Sequence, residues 1–286
     1  MEKLTHFKDA PLIIWILRIL LLISVIMVII IKISSYLSEP RVIAQSVNLR
    51  TNPNPQSKII NQIPHNTRIK VIQKDNTTKW WYIKDGKQKG WIAAWLLKNE
   101  DYNSKKASNI SEATIVLDPG HGGNDSGTLS QDGKMEKTYT LPVAKKVLQL
   151  IKAQNSRVII SRTSDQSVSL GARTRLSNQN HANVFISFHF NSSEIDEGDN
   201  GYEVFKDHDN ANRLANQLDS GFSDLPLNNR GVDIGNYYVL RENTQPAVLI
   251  EMGFMNNPSD FEHIKSNDYQ QKVADDVEQS LQKYFK

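Results

Sequence analysis

Two histidines and two glutamates, His121, Glu136, His189 and Glu251, stand where the sequence predicts that strands end or a helix begins. Two imidazoles and one carboxylate are a common zinc ligand set that leaves one coordination position for water. A further carboxylate that is not a ligand can take the proton of that water and pass it to a leaving nitrogen. Together the four residues are sufficient for metal-assisted hydrolysis of an amide.

Both histidines follow apolar runs that predict buried strands. His121 comes after Thr114–Leu117 and is surrounded by three glycines, while His189 lies in the last third of Val184-Phe-Ile-Ser-Phe-His-Phe-Asn191. An unpaired polar group inside such a strand costs about 1–3 kcal/mol. A metal at the carboxyl edge of an open α/β sheet, where ligands bind, would supply the partner. The alternative for each is a packed or hydrogen-bonded structural histidine.

The two glutamates have different local contexts. Glu136 begins a pattern that predicts a helix over Glu136–Gln154, and an acidic residue in a first helical turn can simply favour the helix dipole. Glu251 follows five apolar residues, Pro246 to Ile250. A carboxylate delivered by a buried strand is costly unless it is ionically paired or catalytic.

The pattern from Ala113 to Lys286 predicts a three-layered α/β domain with a mixed, mainly parallel sheet. The predicted strands are Thr114–Leu117, Val158–Ser161, Val184–Phe188, Tyr202–Phe205, Tyr237–Leu240 and Val248–Ile250, and the predicted helices are Glu136–Gln154, Leu170–Asn178, Asn210–Phe222 and Tyr269–Tyr284.

Four blocks in this region resemble the signature of the zinc-dependent N-acetylmuramoyl-L-alanine amidases: His121-Gly-Gly, Glu136, Ser187-Phe-His-Phe-Asn191 and Glu251-Met-Gly-Phe254. Intervening residues also agree: Ser161-Arg-Thr163 with Asp165, Leu170-Gly-Ala-Arg173, His181-Ala-Asn183, Asn229-Arg-Gly-Val232 and Tyr238-Val-Leu-Arg241. The resemblance implies one catalytic zinc held by His121, Glu136 and His189, with Glu251 as the catalytic carboxylate and peptidoglycan as the substrate. Phe188 and Phe190 depart from the family, which often has Ile and Ala there.

Other functions remain open from the sequence. A zinc peptidase that cuts inside the stem peptide would use identical chemistry, and only its products would differ from those of an amidase. A non-hydrolytic wall-binding protein could keep the same fold, although it would not need the costly carboxylate of Glu251. The remaining histidines, His6, His65, His181, His208 and His263, are expected to lie away from the site, with His181 structural.

Residues 41–98 show short alternating strands and turns, which predict a small β-barrel. The segment resembles bacterial SH3 domains through Asn48-Leu49-Arg50 and Gly90-Trp91. Trp81 and Trp91 are expected in its core, whereas Trp80 or Trp95 is a candidate for a binding groove. Eleven basic residues against two acidic ones suggest contact with an anionic wall polymer, unless they are only a solvated face.

The N-terminal region predicts a membrane protein. Residues 11–33 are almost wholly apolar and, with no good cleavage site after them, are expected to be an uncleaved signal anchor. Lys3, Lys8 and Arg18 place residues 1–10 in the cytoplasm and the rest of the chain outside the cell membrane. Nucleic acid is excluded as a partner by that location.

Arg18 has two interpretations: it snorkels to the membrane surface, or it pairs with a polytopic membrane protein that regulates the enzyme. The spacer from Tyr36 to Pro40 is very short, and residues 99–112 form a polar linker that is expected to be flexible. The enzyme is therefore expected to act on membrane-proximal peptidoglycan. The chain has no cysteine, which excludes disulfides and thiolate metal sites.

Overall fold

A computed structural model describes residues 10–44, 46–98, 107, 109–194 and 198–286. The N-terminal helix α1 spans Ala10–Leu37. Within it, the 26 residues Leu12–Leu37 have a mean hydropathy of 3.1 and are long and apolar enough to cross a membrane. The helix is longer than the predicted anchor and continues to within four residues of the barrel, because Arg41 already pairs with Arg68.

The barrel is a five-stranded antiparallel sheet in the order β2-β1-β5-β4-β3. Its strands are β1 Ser46–Arg50, β2 Ile59–Pro64, β3 Lys70–Lys74, β4 Trp80–Asp85 and β5 Gln88–Ala93. Trp81 is fully buried, as expected. Trp91 is only half-buried: it packs against this core and against Tyr82, with the ring centroids 5.3 Å apart.

The two tryptophans proposed for a binding groove lie against each other and beside the segment that follows the barrel. Trp80 is buried against Trp95 in an edge-to-face contact of 5.5 Å. The Trp95 Nε1 donates to the carbonyl oxygen of Glu112 at 2.6 Å. Glu112 belongs to a short 3₁₀ helix, Ile110–Glu112, directly before the catalytic domain. Trp95 therefore contacts the segment that leads into the second domain, and Trp80 packs behind it.

A buried ion pair completes this contact, which we call the Glu112 latch. Arg50 Nε donates to Glu112 Oε1 at 2.9 Å, with both side chains 2% exposed or less. Asn48 Nδ2 donates to Ser111 Oγ at 2.7 Å. On the other side, Ser156 of the catalytic domain donates to the carbonyl of Ile110 at 2.5 Å. The expectation of a flexible linker thus fails for its last residues; residues 99–106 and 108 lie outside the described part of the chain.

The catalytic domain is built on a six-stranded sheet in the order β10-β9-β11-β8-β6-β7. Strands β6, β7, β8 and β11 are parallel, and β9 pairs antiparallel with β11, so the sheet is mixed and mainly parallel, as predicted. The strands are β6 Thr114–Pro119, β7 Arg157–Ile160, β8 Val184–Asn191, β9 Tyr202–Lys206, β10 Asn229–Ile234 and β11 Ala247–Phe254.

Helices cover both faces of the sheet and give the three predicted layers. Apolar residues of α2, α4 and α7 form the larger core with one face. Helices α3 and α5 cover the other face in a smaller core that includes Val116, Phe185 and Leu249. The helices are α2 Lys137–Ala153, α3 Leu170–Gln179, α4 Asn212–Gly221, α5 Tyr238–Arg241, α6 Pro258–Ile264 and α7 Asn267–Tyr284.

One predicted strand was wrong. Tyr237–Leu240 was expected to be a strand, but Tyr238–Arg241 is the helical turn α5. Val239 and Leu240 are adjacent and both buried, whereas a strand would send one of them to the other face. Strand β10 was missed because it is a largely exposed edge strand whose sequence carries no apolar alternation. The short helix α6 was also missed.

Candidate active site

Strand register places His189, Glu251 and Glu203 in one row across the sheet. The parallel pairing of β8 with β11 sets His189 beside Glu251, and the antiparallel pairing of β11 with β9 sets Glu203 on the other side of Glu251. The row lies towards the carboxyl ends of β8 and β11, the edge of an α/β sheet where ligands bind. Three polar side chains thus meet at a position that sequence spacing alone does not reveal.

Glu136, directly before α2, joins the two histidines. Its Oε2 lies 2.9 Å from His121 Nε2 and accepts from the Thr128 backbone N–H at 2.9 Å. Its Oε1 lies 3.0 Å from His189 Nδ1 and accepts from the Phe190 N–H at 2.9 Å. Burial alone would raise the pKa of Glu136, but the hydrogen bonds with the two histidines outweigh it and lower that pKa to about 2. Glu136 is therefore a carboxylate at neutral pH.

His121 is held by its backbone and by Asp125. Its φ of 60° lies in the left-handed region, which is uncommon for a residue with a side chain. Nδ1 of the ring lies 2.9 Å from Asp125 Oδ2. A carboxylate on one ring nitrogen fixes the tautomer and directs the other nitrogen, here Nε2, towards Glu136. Burial would lower the pKa of His121, but hydrogen bonds to Glu136 and Asp125 outweigh this and raise it.

Two glycines make room for these groups. A Cβ on Gly120 would lie 2.3–2.7 Å from three ring atoms of His189. Gly127 has a φ of +67°, and a Cβ there would lie 2.4 Å from Glu136 Oε2 and 2.6 Å from His121 Cδ2. Any side chain at either position would displace a candidate ligand.

Two buried arginines hold the loop that carries His121. Three successive carbonyl groups, beginning with that of the last residue of β6, accept from guanidinium groups. Arg162 donates to Pro119 at 3.0 Å and to Gly120 at 2.8 Å. Arg173 donates to Pro119 at 2.8 Å and to His121 at 2.8 Å. These bonds satisfy carbonyls that would otherwise be buried without partners, and they fix the path of the loop.

The carboxylate of Asp118 holds Arg173 and two serines in place beneath this loop. Asp118 is fully buried and pairs with Arg173 at 2.6 Å. It also accepts from Ser161 at 2.5 Å and from Ser187 at 2.9 Å. Arg162 forms no ion pair within bonding distance among the described residues, and burial together with the charge of Arg173 lowers its pKa. Neighbouring strands are thereby tied together beneath the site.

Glu251 differs from all of these groups, because its Oε2 has no hydrogen-bond partner among the described residues. The side chain is only 7% exposed. Burial, followed by the charges of Glu136 and Glu203, raises the pKa of Glu251 well above its ordinary value. Glu203 is itself paired with Arg230 at 3.4 Å. A buried carboxyl group with an unpartnered oxygen and a raised pKa can carry a proton.

The four groups open into one cavity of about 600 Å³. One wall carries the candidate ligands, and the opposite wall is formed by apolar and aromatic side chains. That wall includes Tyr237 and Tyr238, at the segment mispredicted as a strand, and Leu170 at the start of α3; all three are exposed. The cavity has room for an extended polar substrate beside the reacting groups.

The structure thus brings together His121, Glu136, His189 and Glu251, the four residues singled out in the sequence. His65, His181, His208 and His263 do not line the cavity, and His6 lies outside the described residues. Sequence reasoning assigned no role to Asp125, Arg162, Arg173 or Glu203. A buried Asp118 at the end of an apolar strand was the one signal that could have pointed to the arginines, since such a carboxylate requires a cation.

Comparison with known proteins agrees with this geometry. The sequence profile of the N-acetylmuramoyl-L-alanine amidase family matches residues 115–283, and the bacterial SH3 domain profile matches residues 45–98. The probable cell wall amidase LytH of Staphylococcus aureus is 34% identical over 250 residues, which cover 85% of this chain and 83% of that protein.

Solved structures give the same result for the catalytic domain. An N-acetylmuramoyl-L-alanine amidase from Clostridium difficile 630 is 36% identical, with a TM-score of 0.59 over 61% of this chain and 97% of that one. The amidase AmiC2 of Nostoc punctiforme is 31% identical, with a TM-score of 0.58 over 60% and 96% of the two chains. The chain therefore belongs to the N-acetylmuramoyl-L-alanine amidase family and is a peptidoglycan amidase that carries a bacterial SH3 domain.

Proposed function

We propose that His121, Glu136 and His189 hold one catalytic zinc ion and that Glu251 carries the protons during hydrolysis. The bond cleaved is the amide between the lactyl group of N-acetylmuramic acid and the L-alanine of the stem peptide. The observation that carries this proposal is the contrast at the site: the donor atoms of two histidines and one glutamate converge within 4.8 Å of one another, while a second carboxyl group, that of Glu251, keeps one oxygen without a partner among the described residues.

The donor set fits zinc. Two imidazole nitrogens and a carboxylate oxygen are ordinary ligands of catalytic zinc sites, which leave a position open. Asp125 on His121 is the kind of second carboxylate that orients a ligating histidine. Held there, a zinc ion would lower the pKa of water towards about 7 and polarise the amide carbonyl.

Glu251 is suited to move the proton. As a carboxylate it accepts a proton from the attacking water while the water oxygen bonds to the carbonyl carbon. As a carboxylic acid it then donates that proton to the L-alanine nitrogen as the carbon–nitrogen bond breaks, so the products are a free lactyl carboxyl group and a free amino terminus. Burial raises the pKa of Glu251, which makes its carboxylate a stronger acceptor of the proton of the attacking water.

Mass spectrometry of defined peptidoglycan digested by the full-length protein tests this function. The expected product is a stem peptide with a new L-alanine amino terminus and an intact N-acetylmuramic acid. Cleavage inside the stem peptide would instead identify a peptidase. Removal of metal by a chelator should stop hydrolysis, and added zinc should restore it, with Glu251→Gln as the inactive control.

We further propose that α1 anchors the enzyme in the cell membrane with the N-terminus inside, so that it acts on membrane-proximal peptidoglycan. The length and hydropathy of Leu12–Leu37 support the anchor. The basic residues Lys3, Lys8 and Arg18 on its amino side support the orientation. Accessibility of a single introduced cysteine to a membrane-impermeant reagent, in a chain that has no cysteine of its own, tests the orientation.

A polytopic membrane regulator and an anionic wall polymer are also proposed as partners. Arg18 lies 5.8 Å from the Trp15 ring, so its charge already has one neighbour within the helix. If Arg18 snorkels, Arg18→Leu should leave insertion and wall cleavage in cells intact. If it pairs with a partner, Arg18→Leu should insert but lose both co-purification of that partner and cellular activity.

A further inference from the structure

The connection between α1 and the barrel is only a few residues long. The helix ends at Leu37, and Arg41 pairs with Arg68 four residues later. Between them, the Ile69 N–H donates to the Pro40 carbonyl at 2.9 Å, which ties the short connection to the barrel. The position of the barrel is therefore set by where the helix ends.

The length of α1 places that end at the membrane surface. The twenty residues before Lys32, from Leu12 to Ile31, extend about 30 Å as a helix, the thickness of the hydrocarbon core. The five residues from Ile33 to Leu37 add about 7.5 Å, which is roughly the depth of one headgroup layer. Any tilt of α1, or a deeper position of its apolar end, brings the barrel closer to the lipid.

Arg68 fixes which side of the barrel faces the helix end. Its Nη1 donates to the Tyr36 carbonyl at 2.5 Å, and its guanidinium lies 4.2 Å from the centre of the Tyr36 ring. Tyrosine at the end of a spanning helix is typical of the interface with the headgroups. The side of the barrel that carries Arg68 is thus turned towards the membrane.

Two more cations lie on this side. Arg41 is the bridge partner of Arg68, and its Nη1 donates to Asn66 Oδ1 at 2.7 Å. The Lys98 N–H donates to the Arg41 carbonyl at 2.7 Å, and the Lys98 side chain is exposed. We call Arg41, Arg68 and Lys98 the membrane-side face. Lys32, about 7.5 Å before the helix end, adds a fourth positive charge at the inner boundary of the headgroup layer.

We propose that the membrane-side face binds the anionic phospholipid headgroups of the leaflet from which α1 emerges, which rests on the anchor proposed above. Guanidinium and ammonium groups at headgroup depth complement lipid phosphates. A wall polymer is a poorer occupant of this face, because the bilayer lies directly beneath it. Lys84, Lys87 and Lys89 are exposed elsewhere on the barrel and are available to such a polymer.

The test uses the full-length protein in nanodiscs and a single fluorescent label, since the chain has no cysteine. Pro64→Cys puts the label on the exposed end of β2, four residues before Arg68 of the membrane-side face. Lys58→Cys, at the opposite end of β2, gives the reference. Quenching by lipids with a spin label on the headgroup is compared in phosphatidylcholine discs and in discs with about one third phosphatidylglycerol.

Phosphatidylglycerol should increase quenching of the Pro64→Cys label at least twofold more than that of the Lys58→Cys label. The triple change Arg41→Gln, Arg68→Gln and Lys98→Gln should remove this increase. A charge-matched triple on exposed residues of the catalytic domain, Lys145→Gln, Lys152→Gln and Lys283→Gln, should keep it. Arg68→Lys, which keeps the charge but not the planar contact with Tyr36, should keep most of it if the barrel is held by charge.

Several outcomes would overturn the proposal. Quenching that does not depend on phosphatidylglycerol, or an equal loss in both triple variants, would contradict a lipid-binding face. Displacement of the label from the lipid by soluble polyglycerol phosphate at physiological salt would assign the face to a wall polymer instead. Insertion of α1 is checked first by flotation with liposomes at alkaline pH, so failure of the anchor is distinguished from failure of this face.

Discussion

Each of two sides of the catalytic cavity holds one buried carboxyl group, and the surroundings of the two groups are opposite in character. On the side of α2, Glu136 receives two imidazoles and two backbone N–H groups, and its pKa is lowered to about 2. On the side of β11, Glu251 has an oxygen without a partner in the described structure and faces two other carboxylates, and its pKa is raised. The comparison teaches that burial alone does not determine the state of a carboxyl group; the surrounding donors do. A permanently charged group suits a ligand, and a group poised to protonate suits proton transfer.

The largest effects are expected from substitutions of the candidate ligands on one side and of Glu251 on the other. Glu136→Gln should reduce both zinc content and hydrolysis, as should His189→Ala, because each removes a ligand. Glu251→Gln should reduce kcat by about 10²–10⁴-fold while zinc content stays at the wild-type level. Metal analysis of the dialysed proteins beside their hydrolysis rates checks this. Equal zinc loss in Glu136→Gln and Glu251→Gln would contradict the division of roles.

A smaller effect on zinc affinity is expected from Arg173, which holds the loop that carries His121. Arg173→Lys keeps a positive charge near Asp118 but cannot serve the Pro119 and His121 carbonyls as the fork of a guanidinium does. The loop should hold His121 less firmly, and zinc affinity should fall about 10–100-fold, as for other groups behind a metal ligand. Competition with a chelating dye measures the affinity. Arg175→Lys, an exposed position on the same helix, should bind zinc as wild type does.

On the side of Glu251, the pH dependence of activity tests the comparison. Glu251 must be ionised to accept a proton, so activity falls as the pH drops through its raised pKa. Glu203→Gln removes one of the charges that raise this pKa and leaves Arg230 nearby, so the acid limb of kcat/KM should move to lower pH. The ratio of variant to wild-type kcat/KM at about pH 5, relative to that at pH 8, should rise about twofold. Glu262→Gln, in a surface pair with Lys265, should leave the profile unchanged.

The smallest expected effect is on stability. A carboxyl group whose pKa is raised on folding favours the folded state most when protonated, so stability declines as the pH rises from its unfolded pKa towards its folded one. At pH 8 and without metal, Glu251→Gln should therefore raise the free energy of unfolding by about 1 kcal/mol. Urea unfolding at pH 5 and pH 8 should show a larger gain at pH 8. A loss of stability at both values would mean that Glu251 has a stabilising partner in solution.

The fold of the catalytic domain followed from apolar periodicity because its central strands and amphipathic helices bury most of their length. Prediction failed at the edge strand β10, because its residues are largely exposed and show no apolar alternation. It also failed at α5, because four residues are too few to distinguish a helical period from a strand period. His189 and Glu251 stood out because a polar group on a buried strand costs free energy, whereas Glu136 stood out only as a member of the complete set. Arg162 and Arg173 were given no role, since most of their partners are backbone carbonyls, which a sequence does not reveal; only Asp118, the carboxylate that pairs with Arg173, could have indicated one of them.

The Glu112 latch bears on how such a protein can change over evolution. Arg50, Asn48 and Trp95 belong to the barrel, yet they satisfy groups of the segment that enters the catalytic domain. Exchange of the barrel for another one by recombination would leave a buried carboxylate without its cation, at a cost of several kcal/mol. Although each domain matches its own family, an exchange of the barrel that keeps this contact has to carry Arg50 with it.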